Sequence, residues 1–187
     1  MQQTQTTLVN IKKLDSLLDN LKKDSYIIMA GKPGAGAITL ASRIAFNISV
    51  RQNLPTLYFS LKNTAAGVTK DMMDIAKEEG ENCKTVSKAP FFVQDDSEEI
   101  TNIQEQIQKN NIKFVVIDSL NLVAANQKRQ ISSVSDSLKS LAKECQIQIL
   151  AVVATSEEWS NELEADAILK IQDWSSDGIK LLISKIN

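Results

Sequence analysis

The sequence predicts an α/β domain whose central sheet is mostly parallel. Short apolar segments of strand length alternate along the chain with segments in which apolar residues recur at helical spacing. A glycine-rich stretch, residues 31–36, separates the first of these strands from the helix that follows it. Alternating strands and helices build parallel sheets with helices packed on each face, so we expect helices on both faces of this sheet.

The apolar pattern sets the order of the elements. A first helix is predicted over residues 11–22, where Leu14, Leu17, Leu18 and Leu21 follow helical spacing. Strands are predicted at residues 26–29, 56–59, 91–93, 112–118 and 148–153. Helices are predicted after the glycine stretch over residues 40–48, and then at 65–79, 100–107 and 131–145. Two shorter strands, near 167–171 and 179–184, flank the turn signal Asp177-Gly178, which predicts an antiparallel hairpin at an edge of the sheet.

Length and composition fit one domain. The 187 residues are 43% hydrophobic, enough for one sizeable core, so we predict a single domain over residues 1–187. Residues 1–7 are polar and are expected to form a flexible tail. The chain has no histidine, which excludes imidazole catalysis and histidine-ligated zinc. Cys83 and Cys145 match no metal-binding spacing, and we predict no metal site.

Charge and hydropathy exclude further classes. A net charge of −2 lacks the basic footprint typical of nucleic-acid-binding domains. No apolar run approaches the length of a membrane span, and the polar N-terminus does not resemble a secretory signal. We therefore expect a soluble cytoplasmic protein.

The glycine stretch has the spacing of a phosphate-binding loop but not its reactive side chains. The P-loop pattern is G-x-x-x-x-G-K-[ST], and Gly31 and Gly36 stand at its two glycine positions. The lysine that reaches the outer phosphates is replaced by Ala37, and the hydroxyl that ligates Mg²⁺ by Ile38. The candidate nucleotide-binding positions, which we regard as vestigial, are Gly31, Lys32, Gly34, Gly36, Ala37, Ile38 and Thr39.

A second candidate lies at the end of the most apolar strand. Asp118 follows the four apolar residues Phe114 to Ile117. An acidic residue there is typical of the Mg²⁺ site in P-loop NTPases. The alternative is that Asp118 caps the turn that follows it at Ser119-Leu120-Asn121. Ligands of open α/β sheets bind at the carboxyl ends of the strands, where Asp118 and the glycine stretch both fall.

Several segments, in order and spacing, resemble the RecA-like ATPase domain of DnaB-type replicative helicases. The opening helix, first strand and loop correspond to IKKLDSLLDNLKKDSYIIMAGKPGAG, and the Walker B strand to KFVVIDSLNLV. The other matching segments are LPTLYFSL, FFVQDD, RQISSVSDSLKSLAKECQIQILAVV, ELEADAILKI and IKLLISKIN. The resemblance covers nearly the whole chain and implies a RecA-like P-loop NTPase fold.

The resemblance also identifies which catalytic positions have changed. The catalytic glutamate of the family falls at Lys62, the arginine finger at Asn187 and its companion lysine at Lys185. Asp118 matches the Walker B aspartate, and a polar sensor position falls in Ala154-Thr155, which has no glutamine. The DNA-facing loops, expected between residues 154 and 166, are shortened. No residue of the chain is therefore predicted to be catalytic.

These substitutions favour a helicase-like domain without ATPase activity and without a cofactor. In this interpretation the domain is a structural or regulatory partner in DNA replication or mobile-element maintenance, binding a helicase or a second copy of itself. One alternative is an unorthodox ATP-binding protein or ATPase in which Lys32 or Lys62 replaces the loop lysine. Another is a nucleic-acid-binding accessory protein. We also consider an ion pair between Lys62 and Asp118 across the site.

Overall fold

The computed structural model describes residues 5–9, 21–96, 99–155, 163–175 and 178–186. Its strands are β1 (Gln5–Val9), β2 (Tyr26–Gly31), β3 (Thr56–Ser60), β4 (Phe91–Gln94), β5 (Phe114–Asp118), β6 (Gln148–Ala154), β7 (Ala167–Ser175) and β8 (Gly178–Ile186). Its helices are α1 (Ala37–Phe46), α2 (Ala65–Glu78), α3 (Cys83–Lys88), α4 (Ile100–Asn110), α5 (Leu120–Asn126) and α6 (Ile131–Cys145). A π-helical turn, Asn47–Arg51, extends α1.

All of these strands belong to one sheet. Their order across the sheet is β1-β8-β7-β2-β6-β5-β3-β4. The six strands from β7 to β4 run parallel, as the alternation of strands and helices predicts. The predicted hairpin is confirmed: β7 and β8 pair antiparallel, and β7 also pairs parallel with β2. The strands with the most apolar sequences, β2, β5 and β6, lie together at the centre.

Alternation along the central strands divides the core between the two faces. In β2, Ile27 and Met29 pack on one face with Leu40 and Ile44 of α1. Their neighbours along the same strand, including Ile28, pack on the opposite face against α4, α5 and α6. Because successive side chains of a strand point to opposite faces, a strand buried on both sides must be apolar throughout. The prediction of helices on both faces is thus confirmed.

The structure corrects the expected tail. Residues 5–7, which we expected to be flexible, belong to β1 and pair antiparallel with β8, with Gln5 opposite Ile183. This pairing satisfies backbone donors and acceptors of β8 that would otherwise be unpaired. Strand β1 is thus the edge strand of the sheet on this side. The predicted helix over residues 11–22 lies outside the described residues except for residues 21–22.

Two helices were not predicted. Helix α3 and helix α5 are six and seven residues long, too short to show a helical repeat of apolar residues. Helix α5 occupies the segment that we considered as a turn after Asp118. None of the described helices is both long and apolar enough to cross a membrane.

Replacing Leu138 of α6 by alanine tests the core assignment. Leu138 is fully buried between α6 and the sheet, so Leu138→Ala should lower the free energy of unfolding by about 2–5 kcal/mol. Leu54 is the matched control, because it is a leucine with 41% of its surface exposed. Leu54→Ala should change stability by less than about 0.5 kcal/mol in the same urea titration. Equal losses in the two variants would contradict this packing.

Candidate functional site

The glycine stretch forms a compact turn between β2 and α1. Strand β2 ends at Gly31, and α1 begins at Ala37. Gly34 and Gly36 adopt φ angles of 84° and 83°, in the left-handed region that glycine enters without steric cost. The amide of Ala35 donates a hydrogen bond of 2.9 Å to the carbonyl oxygen of Lys32, which closes the turn. The strand, loop and helix therefore follow one another in the order that a P-loop requires.

Strand β5 brings Asp118 to the same end of the sheet. Asp118 lies in register with Ser60 of β3 on one side and with Val152 of β6 on the other. Phe114 and Val116 pack in the cluster that contains α1. Because side chains alternate along a strand, Asp118 points to that same face. The carboxylate therefore lies on the side of the sheet that the glycine loop and α1 cover.

A pocket of about 210 Å³ opens at this point. Its lining comes from α1, β3, the loop after β3, α2 and β5. The lining residues are Ile38, Tyr58, Lys62, Asn63, Val68, Asp71 and Asp118. Two carboxylates and one ammonium group thus share a pocket that also has apolar walls.

The two altered loop positions differ in their surroundings. Ile38, at the hydroxyl position, lines the pocket together with Asp118. Ala37, at the lysine position, is buried and packs in the cluster that contains α1. Thr39 carries a hydroxyl one residue later, but its side chain is exposed. Neither Ile38 nor Ala37 has a side-chain atom that ligates Mg²⁺ or pairs with a phosphate.

Backbone and side-chain hydrogen bonds hold the loop after β3 in place. The amide of Leu61 donates to the backbone carbonyl of Asp118 at 3.0 Å, and the amide of Asn63 donates to Ser60 Oγ at 3.0 Å. Thr64 caps α2 by accepting from the amide of Gly67. This arrangement brings Lys62 to the pocket from a strand that is adjacent to β5 in the sheet.

Asp118 is a buried carboxylate with an unpaired oxygen. The residue is 2% exposed, and among the described residues its Oδ1 has no hydrogen-bond partner. Burial raises the pKa of this carboxyl above its usual value, while the positive charge of Lys62 opposes the rise. Burial and the nearby Asp118 charge also raise the pKa of Tyr58, whose hydroxyl lies 3.3 Å from Ser42 Oγ. The charge of Asp118 is therefore poorly compensated in the described structure.

The hypothesis of a direct ion pair between Lys62 and Asp118 is wrong for this conformation. The two residues line the same pocket, but within the described part of the chain no salt bridge of 4.0 Å or less joins them. Lys62 is exposed. Lys32 is also exposed and is not among the residues that line the pocket.

Sequence reasoning missed Asn121, which fastens the end of β6. Its Nδ2 donates to the Ala154 carbonyl at 3.1 Å, and its Oδ1 accepts from the Ala154 amide at 2.9 Å. The amide of Thr155 then donates to the carbonyl of Gly31 at 2.9 Å. The sensor position predicted at Ala154-Thr155 is thus tied to the glycine loop and to the helix after Asp118. A single asparagine in a short helix gives no sequence signal for such a contact.

The remaining predicted positions are not brought to the pocket by any described contact. Lys185 lies in β8, while Asn187 lies outside the described residues. Of the segment expected to hold shortened DNA-facing loops, residues 156–162 are outside them as well. Within the described ranges, no group of three or more acidic, cysteine or histidine side chains could hold a metal ion.

A parallel sheet with a glycine loop between its first parallel strand and a helix, and an aspartate at the end of β5, which is separated from that first strand by β6, defines a RecA-like P-loop domain. A KaiC-like protein from Pyrococcus horikoshii has this fold: its structure superimposes with a TM-score of 0.64 at 16% identity, covering 96% of this chain and 87% of that one. The family described as "DnaB-like helicase C terminal domain" matches residues 7–81 and 69–164. The chain belongs to that family.

Curated relatives support this membership. A probable replicative DNA helicase of Trieres chinensis is 27% identical over an alignment 190 residues long, gaps included. The alignment covers 83% of this chain and 41% of the relative. The replicative DNA helicase DnaB of Leifsonia xyli is 26% identical, covering 89% and 42%. A probable plasmid replicative DNA helicase of Chlamydia trachomatis is 27% identical, covering 71% and 35%. The chain spans about two-fifths of the length of the first two relatives.

Replacing Asp118 by asparagine should stabilise the protein at neutral pH. The folded-state pKa of Asp118 is raised, so this group favours folding below its unfolded-state pKa and loses that contribution as the pH rises through the folded-state pKa. Asp118→Asn removes the buried charge. We expect the free energy of unfolding to rise by about 1 kcal/mol, which corresponds to a rise of about 2–4 °C in the melting temperature.

The pH dependence provides the control for this prediction. The charged or titratable groups that line the pocket with Asp118 are Lys62, Asp71 and Tyr58, and all three remain in the variant. The advantage of Asp118→Asn should shrink as the pH falls and the wild-type carboxyl becomes protonated. A lower melting temperature than wild type at pH 8 would show that the carboxylate is stabilising and already has a partner.

Proposed function

We propose that this chain is a catalytically inactive DnaB-like domain that acts as a structural or regulatory partner in DNA replication or mobile-element maintenance. One observation carries the proposal. Ile38 faces the pocket of Asp118 at the position where a Mg²⁺-nucleotide requires a hydroxyl ligand. The fold of a nucleotide-binding domain is thus combined with a pocket whose chemistry has changed.

The residues present do not fit a Mg²⁺-nucleotide. Phosphoryl transfer depends on cations that neutralise the charge developing on the transferred group. The loop supplies neither a lysine, because Ala37 stands there, nor a metal-binding hydroxyl, because Ile38 stands there. Lys62 occupies the position where the family places a glutamate, and a protonated amine cannot accept a proton from water. This pocket therefore lacks the groups that ATP hydrolysis requires.

An unorthodox ATP-binding protein is the second candidate function. It is favoured by Lys62, which lines the pocket and adds a positive charge there. Asp71 opposes it, because its carboxylate lines the same small pocket and repels phosphate oxygens. Lys32, the other candidate replacement, is exposed outside the pocket lining. The balance of charge therefore favours the inactive domain.

Family membership supports the proposed role in replication. The relatives include replicative helicases and a plasmid helicase, in which this domain accounts for only part of the length. A domain of the same fold can bind a helicase, or a second copy of itself, through surfaces that RecA-like domains share; this argument rests on fold analogy. The net charge of −2 does not favour the alternative of a nucleic-acid-binding accessory.

An ATPase assay tests the inactive-domain proposal. The purified chain should release phosphate from Mg²⁺-ATP no faster than buffer, with or without single-stranded DNA, because the loop cation, the metal hydroxyl and the base are all replaced. Asp118→Asn serves as the site variant. Asp74→Asn is the matched control, because Asp74 lies on α2 and pairs at the surface with Lys70 and Lys77.

Phosphate release above background would contradict the proposal if it is lost in Asp118→Asn and kept in Asp74→Asn. Release that is unchanged in both variants would identify a contaminating ATPase and leave the expected result in place. A DNA-binding titration on the same samples tests the accessory alternative. Binding that weakens steeply with added salt would favour it.

A further inference from the structure

The unpaired oxygen of Asp118 requires a hydrogen-bond donor. Buried polar atoms in proteins are almost always hydrogen-bonded, and a buried charge without a partner is costly. Asp118 is 2% exposed and lines the pocket, yet its Oδ1 has no partner among the described residues. A ligand with a positively charged donor group would supply the missing interaction.

The neighbouring donors are engaged elsewhere. The amide of Leu61 bonds to the backbone oxygen of Asp118 and not to its carboxylate. The Tyr58 hydroxyl lies 3.3 Å from Ser42 Oγ, and Asn63 Nδ2 donates to Asp71 Oδ2 at 3.4 Å. Within the described residues, Lys62 makes no salt bridge of 4.0 Å or less with Asp118. Asp118 therefore lines the pocket with a buried Oδ1 that no donor of the described residues reaches in this conformation.

The size of the pocket indicates a ligand of several atoms. A cavity needs only about 10–15 Å³ to hold one water molecule, whereas this pocket measures about 210 Å³. Its apolar wall consists of Ile38, Val68 and the ring of Tyr58, and its acceptors are the carboxylates of Asp118 and Asp71. This combination suits a cationic group carried on an aliphatic stem.

A divalent metal ion fits these surroundings less well. Hard cations bind six or more oxygen ligands, and Ile38 and Val68 offer none. Within the described residues, no cluster of three potential metal-ligating acidic, cysteine or histidine side chains is present. The ammonium group of Lys62, which also lines the pocket, repels a divalent ion twice as strongly as a monovalent one.

We propose that the pocket lined by Ile38, Asp71 and Asp118 binds an organic cation, a guanidinium or primary ammonium group on an aliphatic stem. Charge-assisted hydrogen bonds to Asp118 fix the cationic head, and Ile38 and Val68 contact the stem. Asp71 adds a second negative charge at the same pocket. The inference rests on the proposed function, because a bound Mg²⁺-nucleotide would occupy the same space.

The same chemistry has two sources, a free small cation and an arginine or lysine side chain of a partner protein. Butylguanidine represents the free cation, and an acetylated, amidated Gly-Arg-Gly peptide represents the side chain. Butylurea has nearly the same shape as butylguanidine but no charge. Binding of each probe can be followed by amide chemical shifts of the isotope-labelled full chain.

Butylguanidine should shift amides around residues 38, 62 and 118 in a saturable manner, and butylurea should not. Asp118→Asn should weaken the binding about tenfold or more, because a charged acceptor is replaced by a neutral one. Asp74→Asn, on the outer side of α2, should leave it unchanged. Asp71→Asn provides a second site variant, with a smaller loss expected because Asp71 is exposed.

The results that would overturn the inference are distinct. They are equal shifts with butylurea, undiminished binding in both Asp118→Asn and Asp71→Asn, no shifts with any cation, or shifts with Mg²⁺ alone that Asp118→Asn removes. If the peptide binds as well as butylguanidine, the source is a partner side chain; if only butylguanidine binds, it is a free cation. Binding of Mg²⁺-ATP in a parallel titration would instead contradict the proposed function. If neither ATP nor any cation shifts the amides, only this inference is contradicted.

Discussion

The burial of Asp118 at the end of a central strand is the constraint on which the site depends. Strand β5 is hydrogen-bonded on both sides, to β3 and to β6, so its last residue cannot move without breaking the sheet. Alternation along β5 then directs the side chain to the face of α1. The carboxylate is thereby held at the pocket that Ile38 of α1 also lines, whether or not a partner is present. A buried carboxylate in that position must be paired with a hydrogen-bond donor or a cation, or become protonated; otherwise it lowers the stability of the fold.

The backbone of the glycine loop follows the P-loop pattern, whereas the side chains at positions 37 and 38 do not. Gly34 and Gly36 adopt left-handed conformations in the loop, and Asp118 lies at the strand end. These features belong to the fold as much as to any ligand, because they connect β2 to α1 and terminate β5. Ala37 and Ile38 stand where the P-loop pattern has a lysine and a hydroxyl residue, and Ile38 lines the pocket together with Lys62. The fold is thus combined with a pocket whose side chains differ from the P-loop pattern at Ile38.

Much of the fold was predictable because its strands are short, apolar and separated by helical repeats. The central strands are buried on both faces and are therefore recognisable in the sequence as continuous apolar runs. They are Tyr26–Gly31, Phe114–Asp118 and Gln148–Ala154. Strand β1 was missed because Gln5–Val9 begins with polar residues, and its strand character comes from pairing with β8. The glycine loop and Asp118 were identified from spacing. The convergence of Asn63, Asp71 and Val68 on the pocket was not, because it depends on how α2 packs beside β3.

Calorimetric titration of the full chain with Mg²⁺-ATP and Mg²⁺-ADP shows whether the pocket binds nucleotide, because it measures binding without requiring turnover. Because Ala37 and Ile38 carry only carbon side chains at the lysine and hydroxyl positions, we expect no binding heat at millimolar nucleotide. A saturable heat with one nucleotide per chain, lost in Asp118→Asn and retained in Asp74→Asn, would contradict it and identify the domain as a nucleotide-binding protein.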